Sequence, residues 1–121
     1  MSAPVTVPMA SRQLAQELWI SLSSLMQSHA AMHSIARPGM ALRFTSSDSA
    51  AVLLGPLGKL SILSPAESGV GATEFRPEAG EMGDEYAQFF FTEDGLLFFQ
   101  DLNESAEMEA AVEHFLHKVQ A

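Results

Sequence analysis

The 121-residue sequence contains no cysteine. Disulfide bracing and thiolate metal sites are therefore excluded, and a reducing compartment suits the composition. It also lacks any run of about 18 apolar residues, the length a membrane-crossing helix needs. Residues 1–9 hold neither a basic nor an apolar stretch, so no secretory leader is read there and a cytoplasmic location is expected. Basic residues are scarce: six Lys and Arg stand against fifteen Asp and Glu, for a net charge of −9. Arg37, Arg43 and Lys59 are too few to form a phosphate-binding stripe, so neither nucleic acid nor an anionic membrane is an expected partner.

The charge is divided unevenly. Residues 1–66 carry four basic and two acidic side chains, whereas residues 67–121 carry two basic and thirteen acidic ones. Acidity of this kind keeps a small protein in solution, and it also gives the second half a surface suited to a basic protein partner.

At this length the chain has material for one core, and residues 11–121 read as a single domain preceded by a disordered tail over residues 1–10. The best-defined stretch runs from Tyr86 to Asp101 and holds five of the eight phenylalanines. Two apolar runs flank Glu93-Asp94-Gly95, the pattern of a β-hairpin. A three-residue loop pairs Phe91 with Leu97 and Phe89 with Phe99. It collects Ala87, Phe89, Phe91, Leu97 and Phe99 on one apolar face, and a clean buried face fixes strand register. Gly95 then supplies the left-handed position of a bulged turn. Phe90 falls opposite Phe98 on the other face, with Tyr86 beside them, and this pair is too apolar to stand freely in water.

Helical periodicity extends from Arg12 to about Ile35, with Ser11 as N-cap. The apolar stripe reads Leu14, Leu18, Leu22, Leu25, His29 and Met32, flanked by Ala15, Trp19 and Met26. Ile20 lies off that stripe. Arg37-Pro38-Gly39 ends the helix. Met40–Thr45 alternates as a strand, and Ala51–Leu54 and Lys59–Leu63 are short apolar runs around Gly55-Pro56-Leu57-Gly58. Val70–Phe75 is a further candidate strand. Residues 76–85 read as an acidic loop carrying Glu78, Glu81, Asp84 and Glu85, and a long irregular segment of this type is a place for binding. A final helix is expected from about Glu104 to Val119, capped by Asp101 or Asn103, with Met108, Ala111, Val112, Phe115 and Val119 inward. The fold class that results is α+β. It is an antiparallel sheet of four to five strands, with an N-terminal and a C-terminal helix packed on one face.

Catalytic chemistry finds no converging set of residues. The serines lie in turns and on a helix face, outside any nucleophile-elbow context, and the carboxylates follow a loop and a helix edge. His29 and His33 are four apart, and His114 and His117 three apart, a spacing that zinc could use. No Glu accompanies His29 in the metalloprotease pattern, and His29 falls on the apolar stripe, so neither metal nor cofactor is expected.

The sequence therefore points to a non-enzymatic interaction module, adaptor-like, chaperone-like or inhibitor- and immunity-like in size and acidity, that forms a homodimer and meets a basic protein. Its candidate contact residues are Phe90, Phe98, Tyr86, Trp19, Ile20, Glu78, Glu81, Asp84 and Glu85. The alternative is a pocket between sheet and helices for a small ligand, serving a sensor or a minor enzyme.

Overall fold

The computed structural model describes residues 7–78 and 83–120. Helix α1 spans Arg12–Ala36. Its N-cap is Ser11, whose hydroxyl accepts from the Leu14 amide at 3.2 Å, satisfying one of the orphan donors of the first turn. A 3₁₀ turn at Pro38–Met40 follows. Ser34 fastens the end of α1 to the next segment: its hydroxyl donates to the Ala30 carbonyl at 2.8 Å and accepts from the Leu42 amide at 3.0 Å.

The sheet then builds by consecutive antiparallel neighbours: β1 (Arg43–Ser46), β2 (Ala50–Gly55), β3 (Gly58–Leu63), β4 (Gly71–Pro77), β5 (Glu85–Phe91), β6 (Leu97–Phe99) and β7 (Glu104–Ala106). Helix α2 (Met108–Val119) closes the chain. Seven strands replace the four to five expected. Gly71–Pro77 forms a full strand, and a polar triplet adds an edge strand where a helix start was expected. That triplet pairs because Asn103 adopts φ 53°, reversing the chain so that Ser105 lies against Phe98 and Glu104 against Phe99. Asn is one of the few residues that tolerates this left-handed geometry. The final helix accordingly begins four residues late, and Glu107 stands at its N-cap without a side-chain hydrogen bond.

The hairpin follows the clean-face register. Phe89 pairs with Phe99, Phe90 with Phe98 and Phe91 with Leu97. The Thr92 amide donates to the Leu96 carbonyl at 2.9 Å, and Gly95 sits at φ 83°. Alternation along the strands separates two faces. The inner face supplies Ala51, Leu53, Leu60, Ile62, Phe89, Phe91, Leu97 and Phe99 to one core, shared with both helices. Burial of each Leu or Phe there contributes about 1.5–3 kcal/mol.

The buried stripe of α1 is Ala15, Trp19, Leu22, Met26 and Ala30, rotated from the expected one. Leu14, Leu18, Leu25 and His29 become its half-buried flanks, and Met32 is 69% exposed. Two alanines on the stripe permit close approach, and Trp19 must turn inward to donate its indole N–H to the Ser47 carbonyl at 2.9 Å. In α2, Leu116 joins the expected Ala111, Val112, Phe115 and Val119 as buried.

Helix α2 lies over β2 and β3, and its end locks onto their turn. The Leu57 amide donates to the Val119 carbonyl at 3.0 Å. The tail expected over residues 1–10 lies in part outside the described residues (1–6). Its remaining portion runs along the hairpin: Ala10 donates to the Phe91 carbonyl at 2.8 Å, and Glu93 donates to the Pro8 carbonyl at 3.2 Å.

Candidate interaction surface

Because both helices share the inner core, no helix among the described residues covers the outer sheet face. Register places its side chains in rows across the strands. Arg43, Leu54, Lys59 and Arg76 form one row. Thr45, Val52, Ser61, Glu74 and Tyr86 form the next. Ala50, Leu63, Ala72 and Gln88 form the third, and Phe90 with Phe98 lies beyond it. Leu54 is 41% exposed, Leu63 56% and Tyr86 71%. They stand in three different rows, with Ser61 and Glu74 between them, and are linked through half-buried Val52 and Ala72 into one interrupted apolar surface.

The first row collects three of the six basic residues of an acidic chain. Among the described residues only Arg76 of the three is paired, with Glu74 and Asp84, each at 3.4 Å in exposed positions where ion pairs contribute little. The acidity lies elsewhere. Asp101, Glu104, Glu107, Glu109 and Glu113 are exposed around β7 and along α2.

The contact residues read from sequence do not converge on one place. Phe90, Phe98 and Tyr86 share the outer face. Phe90 is 7% exposed, with the Phe98 ring beside it at a centroid distance of 5.1 Å, and Phe98 is half-buried. Trp19 is 3% exposed and belongs to the core, whereas Ile20 stands out from α1 at 64%. Glu78 is exposed just after β4, and Asp84 is held by Arg76. Glu85 belongs to the inner side, where it meets Lys118 of α2 at 2.9 Å. Glu81 lies outside the described residues.

Two clefts flank α2. The first, of about 360 Å³, opens between α2 and the start of β5. It exists because α2 lies over β2 and β3, so Thr73, Phe75 and Ala87 of the inner face are only half covered. Phe75, Phe99 and Phe115 line its apolar part, and Glu85, Asp101, His114 and Lys118 its polar part. The His114 ring lies 5.7 Å from that of Phe99. Desolvation there lowers its pKa below the ordinary 6.5, the Lys118 charge adds to the effect, and Asp101 opposes it.

The second cleft, of about 400 Å³, lies between α1 and α2 and gathers His29, His33, Glu113 and His117. The Gln120 amide nitrogen lies 3.4 Å from His33 Nδ1. His114 is in the other cleft, so the four histidines do not form one centre. Among the described residues no group of three His, Asp or Glu is placed to hold a metal ion. Among them, too, no helix is long and apolar enough to cross a membrane. Comparison of the chain with family models, with curated proteins and with solved structures found no match.

Proposed function

We propose that this chain is a non-enzymatic protein-interaction module that docks through the open face of its sheet, pairing with a second copy of itself and presenting its acidic end to a basic protein. The observation that carries this reading is the uncovered face itself. Val52, Leu54, Leu63, Ala72, Tyr86 and Phe98 share that face, interrupted by Ser61, Glu74 and Gln88, and are partly or wholly exposed. A flat apolar patch lowers its free energy by meeting another, and a two-fold pair lets one patch serve both subunits. The exposed acids of β7 and α2 lie away from that face, so a homodimer leaves them free for a basic partner. A reducing cytoplasm suits such a cysteine-free module.

Light scattering at two protein concentrations tests the reading. The wild type is expected to have the mass of a dimer that dissociates on dilution. Leu63→Glu, which puts a charge at an exposed position, is expected to be monomeric with unchanged circular dichroism. A wild type that remains monomeric at high concentration, or a Leu63→Glu variant that dimerises as the wild type does, would overturn self-association through this face. Capture by a basic protein is then expected to weaken when Glu104, Glu107 and Glu109 are replaced by Gln.

A further inference from the structure

Strand β5 is longer than the strand that covers its far side. It runs from Glu85 to Phe91, but β6 pairs only with Phe89, Phe90 and Phe91. One further bond, from the Gln100 amide to the Gln88 carbonyl at 3.0 Å, ends the ladder. The chain then turns away through Asp101 and Leu102 toward β7. Residues 85–87 are held by β4 on one side and have no strand partner on the other among the described residues.

In an antiparallel sheet, successive residues direct their N–H and C=O groups to opposite neighbours. Gln88 serves the β6 side, so Tyr86, two residues earlier, directs its own pair to the same vacant side. Tyr86 is also 71% exposed. A free N–H and C=O on a sheet edge form a template for another strand.

The space beside this edge is hollow on both faces. The cleft under α2 lies on the inner side, and a second hollow of about 550 Å³ lies on the outer side. The two share Thr73, Tyr86, Ala87 and Asp101. An added strand presents alternate side chains to opposite faces, so an edge flanked by two hollows has room for both sets.

We propose that the free edge of β5 at Tyr86 accepts an extended segment of a partner protein by strand addition, with a basic side chain of that segment entering the cleft under α2. The clefts decide the chemistry. Glu85 is neutralised by Lys118 at 2.9 Å, while Asp101 makes no ion pair among the described residues. Burial lowers the pKa of His114, so it carries less positive charge than an exposed imidazole. The groups that face the inner cleft thus leave one uncompensated negative charge. The cleft favours an Arg or Lys and disfavours a carboxylate or phosphate. Its aromatic lining suits the same guest, since ring faces attract cations. Lys118 already rests 5.9 Å above the centre of the Phe75 ring. This inference rests on the reading of the chain as an interaction module for a basic partner, and it adds a second mode of docking at an edge that shares Ala72 and Tyr86 with the self-association face.

The test uses the Leu63→Glu variant, or the wild type where that variant self-associates, so that dimer formation and edge docking are read apart. The probe is a blocked five-residue peptide of alternating Val and Arg, followed by amide chemical shifts and hydrogen exchange. Saturable shifts are expected at Thr73, Tyr86, Ala87 and Asp101, with the Tyr86 amide slowed at least tenfold in exchange. Methylating alternate peptide nitrogens, which removes the strand-pairing donors, is expected to weaken binding at least tenfold. Asp101→Asn is expected to weaken it severalfold, and replacing Arg by Glu to abolish it. Methylguanidinium alone is expected to shift the inner cleft without protecting Tyr86. An unprotected Tyr86 amide at saturation, equal binding of the methylated peptide, or no binding at millimolar peptide would each overturn strand addition. A monomeric wild type that nevertheless binds the peptide would overturn self-association and leave edge docking intact.

Discussion

Phe90 and Phe98 face each other across β5 and β6 with ring centroids 5.1 Å apart, on the side of the sheet away from both helices. Neither ring belongs to the core that the helices share with the inner face. They make a small second apolar layer, and the two rings are not equivalent. Phe90 is 7% exposed, and Phe98 is half-buried. Phe90→Ala is expected to cost about 2–4 kcal/mol of stability, as large-to-small changes at buried aromatics do. Phe98→Ala is expected to cost less, and Phe98→Glu to act on self-association more than on folding. Urea unfolding of the three variants beside light scattering separates the effects. A Phe90→Ala variant as stable as the wild type would show that the second layer carries no weight.

Much of this fold could be read from local pattern. The hairpin register followed from alternation plus one glycine, because only the three-residue loop keeps Phe89, Phe91, Leu97 and Phe99 on a common side. The Ser11 cap and the apolar stripe of α2 were visible for the same reason: period and capping chemistry are local. What escaped was set at long range. The face that α1 buries is rotated because Trp19 reaches Ser47, 28 positions away. Strand β7 was hidden because Glu104-Ser105-Ala106 has the composition of a helix's first turn, and only the reversal at Asn103 makes it a strand. The cleft under α2 needs Glu85 and Lys118, 33 positions apart, to meet over Phe75, and nothing in either neighbourhood announces that.

Gly55 and Gly95 are required for different reasons, and the difference is measurable. Gly95 sits at φ 83°, where a Cβ would have ordinary contacts only, 3.7 Å from the Leu18 side chain. Its replacement by Ala therefore costs backbone strain alone, about 1–2 kcal/mol. At Gly55 a Cβ would strike the Val119 carbonyl oxygen and come within 2.8 Å of the Leu42 side chain. That carbonyl also accepts from the Leu57 amide, so the collision would lift the end of α2 off the β2–β3 turn. Gly55→Ala is expected to be the more destabilising change and to raise amide exchange over residues 116–119, which Gly95→Ala should leave untouched. Equal losses of stability in the two variants would argue against the lock.

Trp19 offers a direct test of the packing of α1. It is the one tryptophan of the chain, 3% exposed, and bonded through its indole N–H to the Ser47 carbonyl. Its emission is expected to be blue-shifted in the native state, resistant to acrylamide quenching, and red-shifted in a single step on unfolding. Trp19→Phe is expected to cost about 1–3 kcal/mol through lost volume and the lost hydrogen bond. Emission already like that of free tryptophan in the native protein would show that α1 turns a different face inward.

The pKa of His114 is lowered first by desolvation against the aromatic rings, then by the charge of Lys118, with Asp101 pulling the other way and His117 adding slightly to the lowering. In the unfolded chain the same imidazole titrates near its ordinary 6.5. As pH falls through that value, the unfolded state takes up a proton before the folded state does, so stability must decline. The contribution is fully present above 6.5 and is gone once pH has passed below the folded value. His114→Gln is expected to flatten the decline of the urea midpoint between about pH 7 and 5.5, a window above most carboxylate titrations. Lys118→Met removes the second cause, so an NMR titration of that variant should place the His114 pKa closer to the ordinary value than in the wild type. Parallel pH profiles for wild type and His114→Gln would show that the cleft beneath α2 is as wet as bulk solvent, and with that its preference for a cationic guest would lose its physical basis.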